Sequence, residues 1–299
     1  MKKNGIKGLK PAFAVALFCV VAVGGIGLRM YQMLYLIDPE TGFFNDSSHP
    51  VVLALYALMG AGLLLIAAIS AFCSGLPGMK LAEGRRIAAG VAALLCAAGF
   101  GYDAYAAWLL RGDDSLLTRG INTGSVTVPL IIQAVFGALS AVYFILYAAG
   151  CFAGGGLVKR IRALAVAPVI FEAARLIFRF TRTISFIKVA ELLAELVGIT
   201  LAMLFFMEHA RASGEIAGQS TGRMLLFAGL GASAVMFAYS VPRLVLVLTG
   251  STDLLVARSD FFPADLATAV FAIAFILGWL KTPKEKVVAT EPLPAEPRA

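Results

Sequence analysis

Polar and apolar positions along this chain alternate on a long wavelength. Runs of about 20 or more apolar residues are broken by short polar stretches. Eight such runs fall at about 11–37, 50–73, 87–110, 129–156, 163–182, 184–210, 224–249 and 262–280, and no connection between them is long enough to fold alone. A helix rising about 1.5 Å per residue needs about 20 apolar residues to cross a bilayer. The pattern predicts an all-α integral membrane protein of about eight transmembrane helices, forming a single polytopic domain over 1–280. Residues 281–299 are polar and rich in proline, and read as a disordered tail.

The apolar runs are interrupted by charge. Arg29, Asp103, Arg175 and Arg243 recur about 70 residues apart, each toward the end of a run. A charge at mid-membrane costs about 2.5–3.5 kcal/mol on insertion scales, so it calls for a partner or a purpose. The spacing, and the likeness of 63–75, 143–155 and 204–214 to one another, fit four repeated helical hairpins. Spanning helices built from Ala, Leu, Val, Phe and Gly resemble one another without common ancestry, and that reading stays open beside the repeat.

Composition then excludes whole classes. With 60% hydrophobic and 14% charged residues, this is no soluble domain. The formal net charge of +7 invites an anionic partner, but its distribution tells otherwise. Lys2, Lys3, Lys7 and Lys10 precede the first run; Lys80, Arg85 and Arg86 follow the second; Lys159, Arg160 and Arg162 follow the fourth; Arg211 and Arg223 follow the sixth; and Lys281, Lys284 and Lys286 follow the eighth. The positive-inside rule therefore gives both termini cytoplasmic, in a cell (plasma) membrane of the bacterial inner-membrane kind. The excess charge is a topology signal, and nucleic-acid binding is disfavoured. The N-terminal run continues through Arg29 without a small-x-small cleavage site, so it reads as an uncleaved first span. Cys19, Cys73, Cys96 and Cys151 lie inside spans without a Cys-x-x-Cys pair and read as free, buried cysteines. Trp108 and Trp279 fit aromatic belts at the two interfaces.

With both termini inside, every deep charge falls in the outer half of the bilayer. At 100° per residue, Glu172, Arg175, Arg179 and Arg182 lie within an arc of about 80° on the fifth span. Lys188, Glu191 and Glu195 lie within about 60° on the sixth. A short turn joins these spans, so a basic and an acidic stripe face each other. Gln133, Ser140, Tyr143 and Tyr147 add a gentler polar stripe on the fourth, and Tyr239 and Ser240 stand beside Arg243 on the seventh. Pro242 removes a backbone hydrogen bond and predicts a kink there.

Two readings follow for the candidate set Arg29, Asp103, Glu172, Arg175, Arg179, Glu191, Glu195 and Arg243. One is a polar cavity binding an anionic or zwitterionic small molecule, or a lipid headgroup, through arginine's donor fork. The other is internal ion pairing, Arg29 with Asp103 and Arg175 or Arg179 with Glu191 or Glu195, that holds helices in register. Near-balance of bases and acids favours the second. Asp265, in the first turn of the last run after Pro263, reads as ordinary helix-dipole chemistry. His49 and His209 sit on opposite sides of the membrane and cannot share a metal. Gly101-Tyr102-Asp103 lacks the second acid of an aspartyl dyad. No catalytic residue, metal ligand or cofactor is assigned. A transporter or permease and a non-enzymatic sensor, scaffold or assembly factor stay open, with a membrane enzyme the least supported; oligomeric state is unassigned.

Overall fold

Each of the eight apolar runs contains an α-helix in the computed structural model. It describes residues 9–38, 44–74, 76–77, 86–111, 123–154, 161–181, 189–216, 218–255 and 262–281, without the side chains of 123–126, 181, 189–192, 219 and 253. The predicted tail beyond 281 lies outside the described residues, as do Arg182 and Lys188. The helices are α1 (Pro11–Tyr31), α2 (Pro50–Phe72), α3 (Ile87–Leu110), α4 (Thr123–Ala153), α5 (Ala167–Thr181), α6 (Val189–Ser213), α7 (Gln219–Leu248) and α8 (Pro263–Leu280). Proline opens α1, α2 and α8, where its missing N–H removes no intrahelical bond and its fixed φ suits the first turn. α1 ends in a π-helical turn, Gln32–Leu36.

Seven of these helices, all but α5, are long and apolar enough to cross a membrane, and they make this a multi-pass membrane protein. The fifth predicted span takes a different form. α5 has 15 residues and carries Glu172, Arg175 and Arg179. At about 1.5 Å per residue its α-helical part is about 22 Å long. A 3-10 turn, Arg162–Val166, leads directly into it. Its charges are tolerable because α5 is flanked by α4 and α6.

Cross-contacts show consecutive helices running antiparallel in two pairs. The Gln32 side chain reaches the Val51 carbonyl while the Leu9 amide reaches that of Phe72, so α1 and α2 pair in opposite directions. Glu195 meets Arg243 while Phe205 meets Gly229, and the same holds for α6 and α7. α7 is the hub: it packs against α1, α2, α6 and α8 and is the most deeply buried of the seven spans. It runs without a break through Pro242 to Leu248, so the kink expected there does not end the helix. α3 and α4 form the other half of the bundle, closed by α5 and α8. Phe100 ties these parts together, its ring centroid 4.9 Å from that of Phe171, 5.4 Å from Phe144 and 5.9 Å from Phe206.

The outer faces are apolar. Val20, Val23, Leu53 and Leu64 are exposed, as expected where lipid replaces water as solvent. Tyr31, Tyr35, Tyr102, Tyr105 and Trp108 are exposed near the C-terminal ends of α1 and α3, and the Arg111 guanidinium lies 3.9 Å over the Trp108 ring. Trp279, expected in the opposite belt, is instead buried against Gly222: that glycine leaves room for the indole inside the bundle. All four cysteines are free; Cys73, Cys96 and Cys151 are buried, while Cys19 faces outward.

One glycine decides how α8 is seated. A Cβ at Gly99 would stand 2.9 Å from the Ala264 Cα and 3.0 Å from its backbone nitrogen, so α3 and the start of α8 touch backbone to backbone. A side chain there displaces the start of α8. Gly99→Leu is expected to cost about 1–3 kcal/mol as an overpacked contact, read as a lower unfolding midpoint in detergent. Gly60→Ala, which meets open space, should be neutral or slightly stabilising.

Candidate functional site

The close backbone approach at Gly99 sets the charged end of the bundle. Asp103 lies one turn further along α3, on the same face, and its Oδ2 accepts a hydrogen bond from the Ala264 N–H at 3.3 Å. That amide belongs to the first turn of α8, where N–H groups have no intrahelical acceptor. Asp265, the next residue, turns its carboxylate to α5. Arg175 Nη1 donates to Asp265 Oδ1 at 2.6 Å and Nη2 to Oδ2 at 3.1 Å, the bidentate geometry that a guanidinium favours. Nη1 also donates to Glu172 Oε2 at 3.0 Å, one turn back on α5. Three carboxylates from α3, α5 and α8 therefore lie within electrostatic reach of one guanidinium. Arg175 and Glu172 are fully buried, and Asp103 nearly so.

A second group adjoins the first. Glu195 on α6 is shared between two arginines: Arg179 Nη2 at 3.2 Å from Oε2, and Arg243 Nη1 at 3.0 Å from Oε1. Here two cations from α5 and α7 hold one anion. Phe262, just before α8, connects the groups, with the Arg175 guanidinium 5.0 Å and that of Arg179 4.8 Å from its ring centroid. Aromatic rings attract guanidinium groups that have shed water, which suits a residue placed between them.

Arg29 sits apart. Its Nη1 donates to Gln32 Oε1 at 3.1 Å, and its guanidinium lies 5.1 Å from the Tyr239 ring, one turn before Arg243 on α7. The π-helical turn turns Gln32 inward, where it is fully buried. Sequence reasoning offered Asp103 as a partner for Arg29; the structure sets Asp103 against α8 and near Arg175. Glu191 begins α6, but its side chain lies outside the described residues.

The expected residues thus separate into Asp103, Glu172 and Arg175; Arg179, Glu195 and Arg243; and Arg29, which lies against Gln32 and Tyr239. The residue that sequence reasoning undervalued is Asp265. A first-turn acid after proline is common enough to hide a partner 90 positions back in the chain.

The polar stripe of α4 divides in the same way. Gln133 donates to the Ala174 carbonyl at 3.4 Å on the site's own helix, α5. Tyr143 and Tyr147 face the other half of the bundle, against His209. The Tyr143 hydroxyl lies 2.8 Å from His209 Nε2, and the imidazole is packed by Phe271, Phe275 and Phe205, with Phe275 nearest at 4.7 Å between centroids. Sequence reasoning weighed this histidine only as a metal ligand. Its aromatic surroundings come from three helices, α4, α6 and α8, and no local spacing announces them.

No family model, curated protein or solved structure matches this chain, so the geometry alone carries the reading.

Glu195 offers the sharpest structural test. Removing one partner of a buried ion pair leaves an uncompensated charge and costs about 3–5 kcal/mol. Glu195→Gln is expected to cost up to about that, because Arg179 and Arg243 both lose this carboxylate. Arg111→Gln, at an exposed position, should change the unfolding midpoint little.

Proposed function

We propose that this protein is a permease of the cell membrane, with both termini cytoplasmic, whose charged end receives an anionic or zwitterionic small solute or lipid headgroup. The observation that carries this reading is the bidentate seat of Asp265 on Arg175. A carboxylate or phosphate on a solute has the same donor requirement as Asp265, so it can replace that side chain on the fork. The guanidinium then keeps a charge partner, while Asp265 gives up its seat to the incoming anion. Asp265 is carried on α8 and Arg175 on α5, so the exchange loosens the link between these helices. A ligand that separates two packed elements by taking over one side of their contact is the elementary form of a gate.

A second reading, a sensor, scaffold or assembly factor with structural ion pairs, has its own support. Arg175, Arg179 and Arg243 each already hold a carboxylate. Paired buried charges fix helix register without any ligand.

The two readings diverge under a thermal-shift screen of the purified protein against small carboxylates, phosphates and anionic lipids. The permease reading expects at least one compound to raise the unfolding midpoint of the wild type, and Arg175→Lys, which keeps the charge and loses the fork, to abolish the rise. A compound that stabilises both proteins equally argues against this site, and a silent panel favours the structural reading. Topology is checked separately. A C-terminal fluorescent-protein fusion should be bright, and a C-terminal alkaline phosphatase fusion inactive.

A further inference from the structure

The three carboxylates around Arg175 are not equally satisfied. Asp265 places both oxygens on the guanidinium. Glu172 places only Oε2 there, and its Oε1 is buried with no hydrogen-bond partner among the described residues. Asp103 gives Oδ2 to the Ala264 amide, and its Oδ1 is likewise buried and unpartnered. Glu172 is fully buried and Asp103 is 5% exposed. A bare carboxylate oxygen in such a place is among the costliest groups a protein can bury.

The charges nearby do not answer it. The groups facing Asp103 and Glu172 are Arg175 on α5, Asp265 on α8 and, beside Glu172, the thiol of Cys96 on α3. α4 contributes Gln133, which bonds backbone. Arg179, the next cation along α5, is engaged by Glu195. Three full negative charges would thus face a single guanidinium, in a part of the molecule shielded from water.

We propose that Asp103 and Glu172 form a proton-binding pair, in which the unpartnered Oδ1 and Oε1 are the atoms that accept an exchangeable hydrogen. Asp265 stays ionised on the Arg175 fork. Protonation makes a bare acceptor into an O–H donor and lowers the local charge, with no bond broken except in the water that delivers the proton. A metal ion suits the site less well. Hard cations gather about six oxygens, and among the described residues no group of three or more carboxylate, thiol or imidazole side chains is placed to hold a metal ion. The pair stands whether or not a solute is carried, so it survives failure of the permease reading.

Infrared difference spectroscopy on the full-length protein in nanodiscs tests this directly. Lowering the pH should raise a protonated-carboxyl C=O band that shifts in deuterated buffer. Asp103→Asn and Glu172→Gln should each weaken or shift it, and the double variant should lose most of it, while the exposed Asp46→Asn control keeps it. A wild-type spectrum without a deuterium-sensitive buried carboxyl band overturns the proposal, and this arm needs no variant to fold. So does a band unchanged in the folded double variant. Replacing choline by sodium at constant pH should leave the band and the unfolding midpoint unmoved; a sodium-dependent shift would assign these oxygens to a cation and overturn the proton site.

Discussion

A guanidinium without water must be surrounded by acceptors, and that constraint organises one whole end of this molecule. Arg175 is buried on a short helix, and its donors are met by Glu172 from its own helix and Asp265 from another. Everything around it follows from keeping that arrangement closed. α8 must begin where Asp265 can reach, α3 must come close enough for Asp103 to bond the first turn of α8, and Gly99 makes that approach possible. Lipid offers none of the hydrogen bonds that water would, so association of the helices depends on such polar links and on close packing together.

The two ends of the bundle solve burial in different chemistries. At one, arginines and carboxylates neutralise each other across α3, α5, α6, α7 and α8. At the other, His209 is enclosed by rings and touches one hydroxyl, and the neighbouring Glu208 pairs with the exposed Arg211. Between the two ends lies the Phe100, Phe144, Phe171 and Phe206 stack.

The helices were legible in the sequence because apolar length is a strong signal when the solvent is hydrocarbon. The facing of Arg179 and Glu195 was legible too, since both lie on one stripe of neighbouring helices joined by a short connection. What local pattern could not carry was long-range pairing. Asp265 looks like any first-turn acid until α8 is placed against α5, and Trp279 looks like a belt residue until Gly222 opens a slot for it. Asp103 read as a partner for Arg29 because the two share a depth, but depth says nothing of which helices are neighbours. The fifth predicted span holds its charges for a related reason: it is sheltered by α4 and α6.

Glu195 has a mechanical meaning beyond its charge. A carboxylate held by one arginine can follow that partner when a helix moves. Held by Arg179 and Arg243 together, it cannot move with one without abandoning the other. α5, α6 and α7 are thereby fastened at three corners of one triangle, whereas among the described residues α8 is ion-paired to them through the fork of Arg175. If the molecule has a seam, it runs along that fork, with α3 and α8 on one side and the triangle on the other.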